Sequence, residues 1–256
     1  MQLNYKVFGE GEPVVILHGM FGTLDNWQTI AKQLAKHFMV FIIDLRNHGR
    51  SPHSEAFSYS IMANDVYEFM ENNWIYEAHI VGHSMGGKVA MQLATENPDL
   101  VNKLAVVDIA PKAYKGNHQP IFDALFALDL TSLKSRKQAN EFLESRIESY
   151  AVRQFILKNL SINKQTQTYE WKMNLPVIHN AYQHILGSSD LSSPYNKPTL
   201  FIKGANSSYI LEEEFSDYQV FFPQAKLANI DNAGHWVHAE QPKLFLEALT
   251  NFLLDE

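Results

Sequence analysis

A serine lies at the centre of a Gly-x-Ser-x-Gly pentapeptide, with Ser84 between Gly82 and Gly86 in the run HIVGHSMGGK. A strand-like apolar run precedes this pentapeptide and a helix-like run follows it, which is the setting of a sharp strand-to-helix turn. Small neighbours allow the serine to take a strained backbone conformation that leaves its hydroxyl exposed. The helix N-terminus also favours a developing anion. The pattern predicts that Ser84 is a nucleophile, and the alternative is an ordinary glycine-rich turn.

A serine hydroxyl becomes an effective nucleophile only when a neighbouring base removes its proton. His235 follows the last predicted strand, in the run Asp231-Asn-Ala-Gly-His235, so it would overhang the edge of the sheet that carries Ser84. The order serine, acid, histidine is expected for a nucleophile on this kind of turn. We therefore predict His235 as the general base. A metal site at His235, His238 and Glu240 is an alternative, but an i,i+3 pair without a third ligand is common by chance.

The carboxylate that would orient the histidine is marked less directly. Its usual place is the loop after Phe201, which here reads KGANSSY and contains no acid. The preceding strand ends in a carboxylate, Asp108, directly after two valines. We predict Asp108 as the acid that holds one imidazole tautomer. Asp231 competes for this role, but its position four residues before His235 suits a loop cap.

The polar run Asn206-Ser207-Ser208 occupies the loop from which the usual acid is missing. A hydroxyl at Ser207 could hydrogen-bond Asp108 or His235 as a fourth member of the group. An ordinary polar turn explains the same three residues equally well. Ser207 is therefore a candidate supporting residue.

A tetrahedral intermediate needs two backbone N–H donors for its oxyanion. Met85 directly follows the nucleophile and would supply the first donor. The second is expected from the loop after the apolar run 14–17, which reads HGMFG from His18 to Gly22. We predict Met20 as this donor, with Phe21 as the alternative.

The elements that must position these residues alternate between apolar strands and helices. An opening strand is predicted at 3–8, and continuous apolar runs predict buried strands at 14–17, 38–45, 78–81, 103–108, 198–203 and 226–230. Helical spacing occupies several of the intervening stretches and the end of the chain, at 27–37, 60–74, 87–96 and 242–254. This order predicts an α/β fold with a mostly parallel central sheet flanked by helices.

Between Pro111 and Pro194 the strand signal vanishes, and helices are predicted at 120–130, 135–149, 151–159 and 175–186. We predict a helical cap at 112–194, called the cap segment below, inserted after the strand that ends at Asp108. Residues 1–111 and 195–256 would form the core. The cap segment holds ten Lys/Arg and seven Asp/Glu, a balance of +3, whereas the whole chain carries −7. A solvated helical surface and an attraction for phosphate-bearing substrates both fit this balance.

Composition narrows the functional classes. The absence of cysteine excludes disulfides and thiolate catalysis. The net charge of −7 argues against general nucleic-acid binding, and no apolar run is long enough for a membrane-spanning helix. The first six residues lack the pattern of a secretory signal, so we expect a cytoplasmic protein. We also expect a small-molecule substrate and neither a metal nor another cofactor, and the oligomeric state stays open.

With these residues in hand, the chain resembles α/β-hydrolase fold proteins over its full length. The matching motifs follow the family's order: His18-Gly19, Asp44-x-Arg46-x-x-Gly49-x-Ser51, Gly82-His-Ser84-Met-Gly86-Gly87 and Gly234-His235. It resembles in particular the YbfF-type bacterial esterases and their mitochondrial abhydrolase-domain relatives. That subgroup shares the His-Gly-x-Phe-Gly loop, the pattern Tyr169-x-Trp171-x-x-Asn174, the acid after the earlier strand and the Asn-Ser pair in the later loop. One departure is Asn47-His48 in place of the family's usual Gly-x.

The resemblance implies hydrolysis of acyl esters and thioesters, including acyl-coenzyme A, through an acyl-enzyme on Ser84. Carbon–carbon bond hydrolases and acyltransferases of the same fold keep the same three residues, so the motifs do not separate them. Some members of the fold are non-enzymatic ligand-binding proteins, which often lose one of the three. Here Ser84, Asp108 and His235 are all present.

Overall fold

The computed structural model describes residues 1–255. The strands are β1 (Tyr5–Phe8), β2 (Pro13–Leu17), β3 (Met39–Ile43), β4 (Ala78–His83), β5 (Val101–Val107), β6 (Leu160–Ile162), β7 (Tyr169–Trp171), β8 (Thr199–Gly204) and β9 (Ala225–Ile230). The α-helices are α1 (Gln28–Leu34), α2 (Tyr59–Asn72), α3 (Met85–Glu96), α4 (Gln119–Ala127), α5 (Arg136–Glu144), α6 (Tyr150–Leu157), α7 (Leu175–Asn180), α8 (Tyr182–Leu186), α9 (Phe215–Tyr218), α10 (Val237–Glu240) and α11 (Pro242–Leu254).

Seven of these strands form one sheet in the order β1-β3-β2-β4-β5-β8-β9. β1 is antiparallel to β3, and the remaining pairs are parallel. Leu17 of β2 lies beside Gly82 of β4, and His83 of β4 lies beside Val107 of β5. The carboxyl ends of these strands therefore meet at one edge of the sheet. The predicted α/β-hydrolase fold with a mostly parallel sheet is confirmed.

Both faces of the sheet are covered, which explains the continuous apolar runs. Along β2, Val15 and Leu17 pack into a cluster shared with α2 and α3. Val14 and Ile16 point the other way, into a cluster shared with α1 and α11. A parallel strand buried on both faces has no polar side, so its sequence does not alternate.

The cap segment joins β5 to β8, which are neighbours in the sheet. It contains α4 to α8, as the helical prediction requires, but the expectation of helices alone was wrong. Strands β6 and β7 form an antiparallel hairpin, with Leu160 beside Trp171 and Ile162 beside Tyr169. Each strand has three residues, too few for sequence periodicity to register. The boundaries at 112 and 194 stay a prediction.

The two ends of the cap segment run side by side where they join the core. The N–H of Tyr114 donates to the carbonyl of Leu186 at 2.8 Å, and the N–H of Ser189 donates to the carbonyl of Pro111 at 3.2 Å.

Within residues 1–255, the helices are too short or too polar to cross a lipid bilayer.

Candidate active site

The turn between β4 and α3 carries Ser84 in a conformation that most residues avoid, with φ 54° and ψ −121°. A Cβ at Gly82 would lie 2.3 Å from the carbonyl oxygen of Gly86. A Cβ at Gly86 would lie 2.5 Å from the carbonyl oxygen of Leu17. Only glycine fits such close backbone approaches. The pentapeptide glycines are thus explained by packing, and Ser84 lies directly at the end of the sheet.

The structure brings Ser84, His235 and Asp108 into one hydrogen-bonded line. The Ser84 Oγ lies 3.0 Å from the His235 Nε2, and the His235 Nδ1 lies 2.7 Å from the Asp108 Oδ2. Asp108 is fully buried, and its other oxygen accepts the N–H of Gly204 at 3.1 Å. A carboxylate at Nδ1 keeps the proton on that nitrogen, which leaves Nε2 free to accept the serine proton.

Of the other residues that were candidates for a contact with Asp108 or His235, Ser207 makes one and Asp231 does not. The Ser207 hydroxyl donates to the Asp108 Oδ2, the same oxygen that faces His235. Asp231 is exposed and makes no hydrogen bond to His235 within residues 1–255. Asn206 and Ser208 are exposed, and their side chains form no hydrogen bond to this group in the described part of the chain. Of the candidates for contact with His235, the structure places only Asp108 at its Nδ1.

The predicted oxyanion donors flank Ser84. The carbonyl of Ser84 accepts the N–H groups of Gly87 at 2.8 Å and Lys88 at 3.2 Å, so it points into α3. Because N–H and C=O point in opposite directions across a trans peptide, the N–H of Met85 points away from the helix. The carbonyl of Gly19 accepts the N–H of Gly22 at 2.9 Å. The N–H of Met20, on the opposite side of the same peptide, therefore points away from this turn.

The loop that carries Met20 lies against Ser84, since a Cβ at Gly19 would be 3.1 Å from the Ser84 Cβ. The amides of Met20 and Met85 donate to no acceptor within residues 1–255. The amide of Phe21 is equally unpaired in that range. The choice between Met20 and Phe21 as second donor therefore stays a prediction.

Two aromatic side chains that the sequence reasoning did not assign hold His235. The ring of Tyr209 stacks on it, with centroids 4.1 Å apart and planes 21° apart. The Nε2 of His83 lies 2.8 Å from the carbonyl oxygen of His235. Burial holds the pKa of His83 well below its usual range, so this ring is neutral and donates from Nε2. His83 could have been suspected from its place in the pentapeptide, whereas nothing in the sequence marks Tyr209.

Nothing in the sequence singled out Lys88 either, because a lysine in a helix is usually a surface residue. Its ammonium is buried one turn after Ser84 and donates to the carbonyls of Lys112, at 2.8 Å, and Gly187. The rings of Tyr59 and Tyr114 lie 5.6 and 5.0 Å from it. Burial lowers the pKa of Lys88 to about 8. Lys88 therefore ties both ends of the cap segment to the helix that follows Ser84.

The residues of the alternative metal site make other contacts. The ring of His238 stacks on Trp27 at 4.0 Å instead of facing His235 as a ligand. The carboxylate of Glu240 accepts the N–H groups of Gly234 at 2.7 Å and Trp236 at 3.1 Å. Within residues 1–255, no three histidine or carboxylate side chains come together as a metal site.

A cavity of about 710 Å³, counted with its opening to solvent, lies over Ser84 and His235. Core residues form its floor. The cap segment supplies apolar and aromatic walls through Ile121, Val152, Phe155, Ile156, Tyr182 and Ile185. No lysine, arginine or carboxylate among the described residues lines it. Such a chamber favours an uncharged, largely apolar group next to the reacting atoms.

Comparison with known proteins agrees with this architecture. Residues 12–242 match the family model for the alpha/beta hydrolase fold. Esterase YbfF of Escherichia coli (strain K12) is 37% identical over 244 residues, which cover 95% of this chain and 93% of that protein. The sn-1-specific diacylglycerol lipase ABHD11 of Danio rerio is 38% identical over 264 aligned positions, covering 99% of this chain and 83% of that protein.

Among solved structures, a marine microorganism esterase superposes with a TM-score of 0.95 at 41% sequence identity. The match covers 98% of this chain and 99% of that esterase. The resemblance to YbfF-type esterases and abhydrolase-domain proteins is confirmed by these similarities. On its fold, its matched residues and its relatives, this chain belongs to the α/β hydrolase fold family.

Proposed function

We propose that this protein is a serine hydrolase that cleaves carboxylic esters through an acyl-enzyme on Ser84. The observation that carries the proposal is the hydrogen-bonded line from Ser84 through His235 to Asp108 beneath an apolar cavity. Ester hydrolysis as the general activity is further supported by relatives named as esterases and lipases.

Acylation would begin with attack of the Ser84 Oγ on the ester carbonyl carbon. The Nε2 of His235, 3.0 Å away, takes the hydroxyl proton, and Asp108 stabilises the resulting imidazolium. The carbonyl oxygen becomes an oxyanion that accepts the N–H of Met85 and that of Met20. His235 then returns the proton to the departing alkoxide, which leaves as an alcohol.

Deacylation repeats these steps with water as the nucleophile. His235 takes a proton from water, the hydroxide attacks the acyl carbon, and the tetrahedral intermediate collapses. The bond to Ser84 breaks, the serine oxygen recovers its proton from His235, and a carboxylic acid leaves. Ser207 would assist both halves by holding the Asp108 oxygen that faces His235.

The lining of the cavity supports esters with an apolar acyl or alcohol group as substrates. The cap segment's balance of +3 supports acyl-coenzyme A thioesters as a second candidate, since phosphate groups outside the cavity would meet these charges. Three of the ten cations are already paired, Lys112 with Glu214, Lys137 with Glu141 and Arg153 with Glu144. We therefore place neutral esters first.

Labelling with a fluorophosphonate tests the core of the proposal, and we expect covalent modification at Ser84. A panel of p-nitrophenyl esters of rising chain length would then be compared with acyl-coenzyme A thioesters. Because one relative is named an sn-1-specific diacylglycerol lipase, diacylglycerols belong in the panel. Protein that is folded but not labelled would favour a ligand-binding role. Acyl transfer to an added alcohol without hydrolysis would favour an acyltransferase. Turnover of β-diketones but not of esters would favour a carbon–carbon bond hydrolase.

A further inference from the structure

Asn159 of the cap segment reaches the loop that carries the predicted oxyanion donor. It is fully buried just after α6, and its Nδ2 donates to the carbonyl of Phe21 at 2.6 Å and to that of Ile156 at 3.3 Å. Turning the amide over would set its oxygen against the same two carbonyls. The donor orientation is therefore the one that the surroundings require.

Asn159 is itself held in place. Its backbone carbonyl accepts the N–H of Lys172 at 2.8 Å, from the residue after β7. Its backbone N–H donates to the carbonyl of Ile156 at 2.9 Å. The side chain thus projects from a point fixed between α6 and the β6–β7 hairpin.

Phe21 needs such support because its backbone is strained. Its φ is 59°, in the left-handed region that an aromatic residue rarely enters. A conformation of this kind persists only where surrounding contacts hold it. The buried ring of Phe21 meets the edge of Phe122 in α4, with centroids 5.1 Å apart and planes 70° apart. Both the ring and the carbonyl of Phe21 are therefore held by the cap segment.

Phe21 directly follows Met20, the predicted second oxyanion donor, and its own amide is the alternative donor. The Asn159 hydrogen bond fixes the direction of the Phe21 carbonyl, and with it the peptide plane between Phe21 and Gly22. The amides of Met20 and Phe21, which precede this peptide, donate to no acceptor within residues 1–255, and both residues line the cavity over Ser84. We infer that Asn159 is a positioning residue for the oxyanion hole, so that the cap segment sets the place of one oxyanion donor. This inference rests on the proposed function.

The test replaces Asn159 with leucine, which keeps the approximate shape and removes the donor. Asn180→Leu is the matched control, because Asn180 is an exposed asparagine of the same segment without a side-chain hydrogen bond in residues 1–255. For a p-nitrophenyl ester, we expect Asn159→Leu to lower kcat roughly 10- to 100-fold, the scale of a misplaced catalytic group. KM should stay within about twofold, because the oxyanion forms only in the transition state.

Fluorophosphonate inactivation supplies a second readout, because its transition state also places negative charge in the oxyanion hole. Its rate should fall by the same factor as kcat in Asn159→Leu and stay unchanged in Asn180→Leu. Phe122→Leu supplies an independent variant if Asn159→Leu does not fold. Phe122 is buried against Phe21 and also packs on Tyr182 of the cavity wall, so we expect a several-fold loss of kcat with a matching fall in the rate of fluorophosphonate inactivation, whether or not KM changes.

The outcomes separate the two claims. Wild-type protein that does not react with the fluorophosphonate would overturn the proposed function. Wild-type protein that reacts, while folded Asn159→Leu reacts and turns over equally fast, would overturn only the role of Asn159. A rise in KM with unchanged kcat would also overturn that role, since it would mean that the residue merely shapes the cavity. If Asn159→Leu does not fold, unchanged kcat in Phe122→Leu would count against the inference.

Discussion

The core and the cap segment meet at the same cavity, but they are built in different ways. In the core, Ser84 and Asp108 follow neighbouring parallel strands, and each is held in a left-handed conformation, with φ 54° and 50°. Their positions are set by the backbone of the sheet. The cap segment contributes side chains from several short helices, and these line the cavity over Ser84 and His235 without extending the sheet. In the proposed function, the backbone of the core therefore places Ser84 and Asp108, whereas side chains of the cap segment wall the cavity and, through Asn159, hold the loop of the predicted second oxyanion donor.

The largest expected effect comes from removing the nucleophile or the base. Ser84→Ala and His235→Ala should each lower kcat by about 10⁶, and the double variant should be no worse than either, because the residues act as one unit. Unfolding curves should match those of the wild type. Near-normal ester hydrolysis by highly purified Ser84→Ala would contradict the assignment.

The second-largest expected effect tests which carboxylate, Asp108 or Asp231, orients His235. Asp108→Asn should keep the fold but leave His235 in the wrong tautomer, with a loss of roughly 10²–10⁴ in kcat. Ser207→Ala should cost only about tenfold, because it removes one hydrogen bond to a carboxylate that remains. Asp231→Asn is the control and should leave kcat almost unchanged. If Asp231→Asn were the damaging variant and Asp108→Asn the harmless one, the acid has been misassigned.

The core should also be sensitive to acid. Burial lowers the pKa of His18 to about 4, and those of His48 and His238 to about 3. The unfolded chain binds protons at these rings near pH 6.5, whereas the folded chain does not, so stability is complete above that pH and falls below it. Each of these three rings should therefore lower the free energy of unfolding by about 2 kcal/mol at pH 5 relative to neutral pH.

Urea unfolding at pH 7 and pH 5 measures this loss. Replacement of His238 by glutamine should reduce the difference between the two pH values, because glutamine does not titrate. If the difference in unfolding free energy between pH 7 and pH 5 were the same in wild type and variant, His238 would not contribute to the loss of stability in acid.

The smallest effect tests the charges of the cap segment. If they attract the phosphates of coenzyme A, kcat/KM for an acyl-coenzyme A thioester should exceed that for a neutral ester of equal acyl length. This advantage should shrink a few-fold as salt rises, because exposed charges are screened beyond about 10 Å at 0.1 M. The neutral ester is the internal control. Equal salt dependence for both substrates would reduce these charges to a solvated surface.

The sequence predicted the core better than the cap segment, and the reason is physical. Strand ends of a parallel sheet must meet at one edge, so the placement of Ser84, Asp108 and His235 follows from the order of apolar runs. Ser207 could be suspected because its loop lacked the usual acid. Contacts such as Asn159 with the Phe21 carbonyl, or Lys88 with Gly187, join residues about a hundred or more positions apart. No local pattern encodes them, and the β6–β7 hairpin is too short to produce one.

The paired ends of the cap segment have a consequence for how this protein can diverge. Because residues 111–114 and 186–189 are hydrogen-bonded to each other, the chain leaves and re-enters the core at one point. The entropy of closing such a loop grows only with the logarithm of its length. A change in the length of the segment should therefore cost little closure entropy while these two ends stay paired. A replacement segment would also have to keep the contact of Asn159 with the Phe21 carbonyl, because that contact holds the loop of the predicted oxyanion donor.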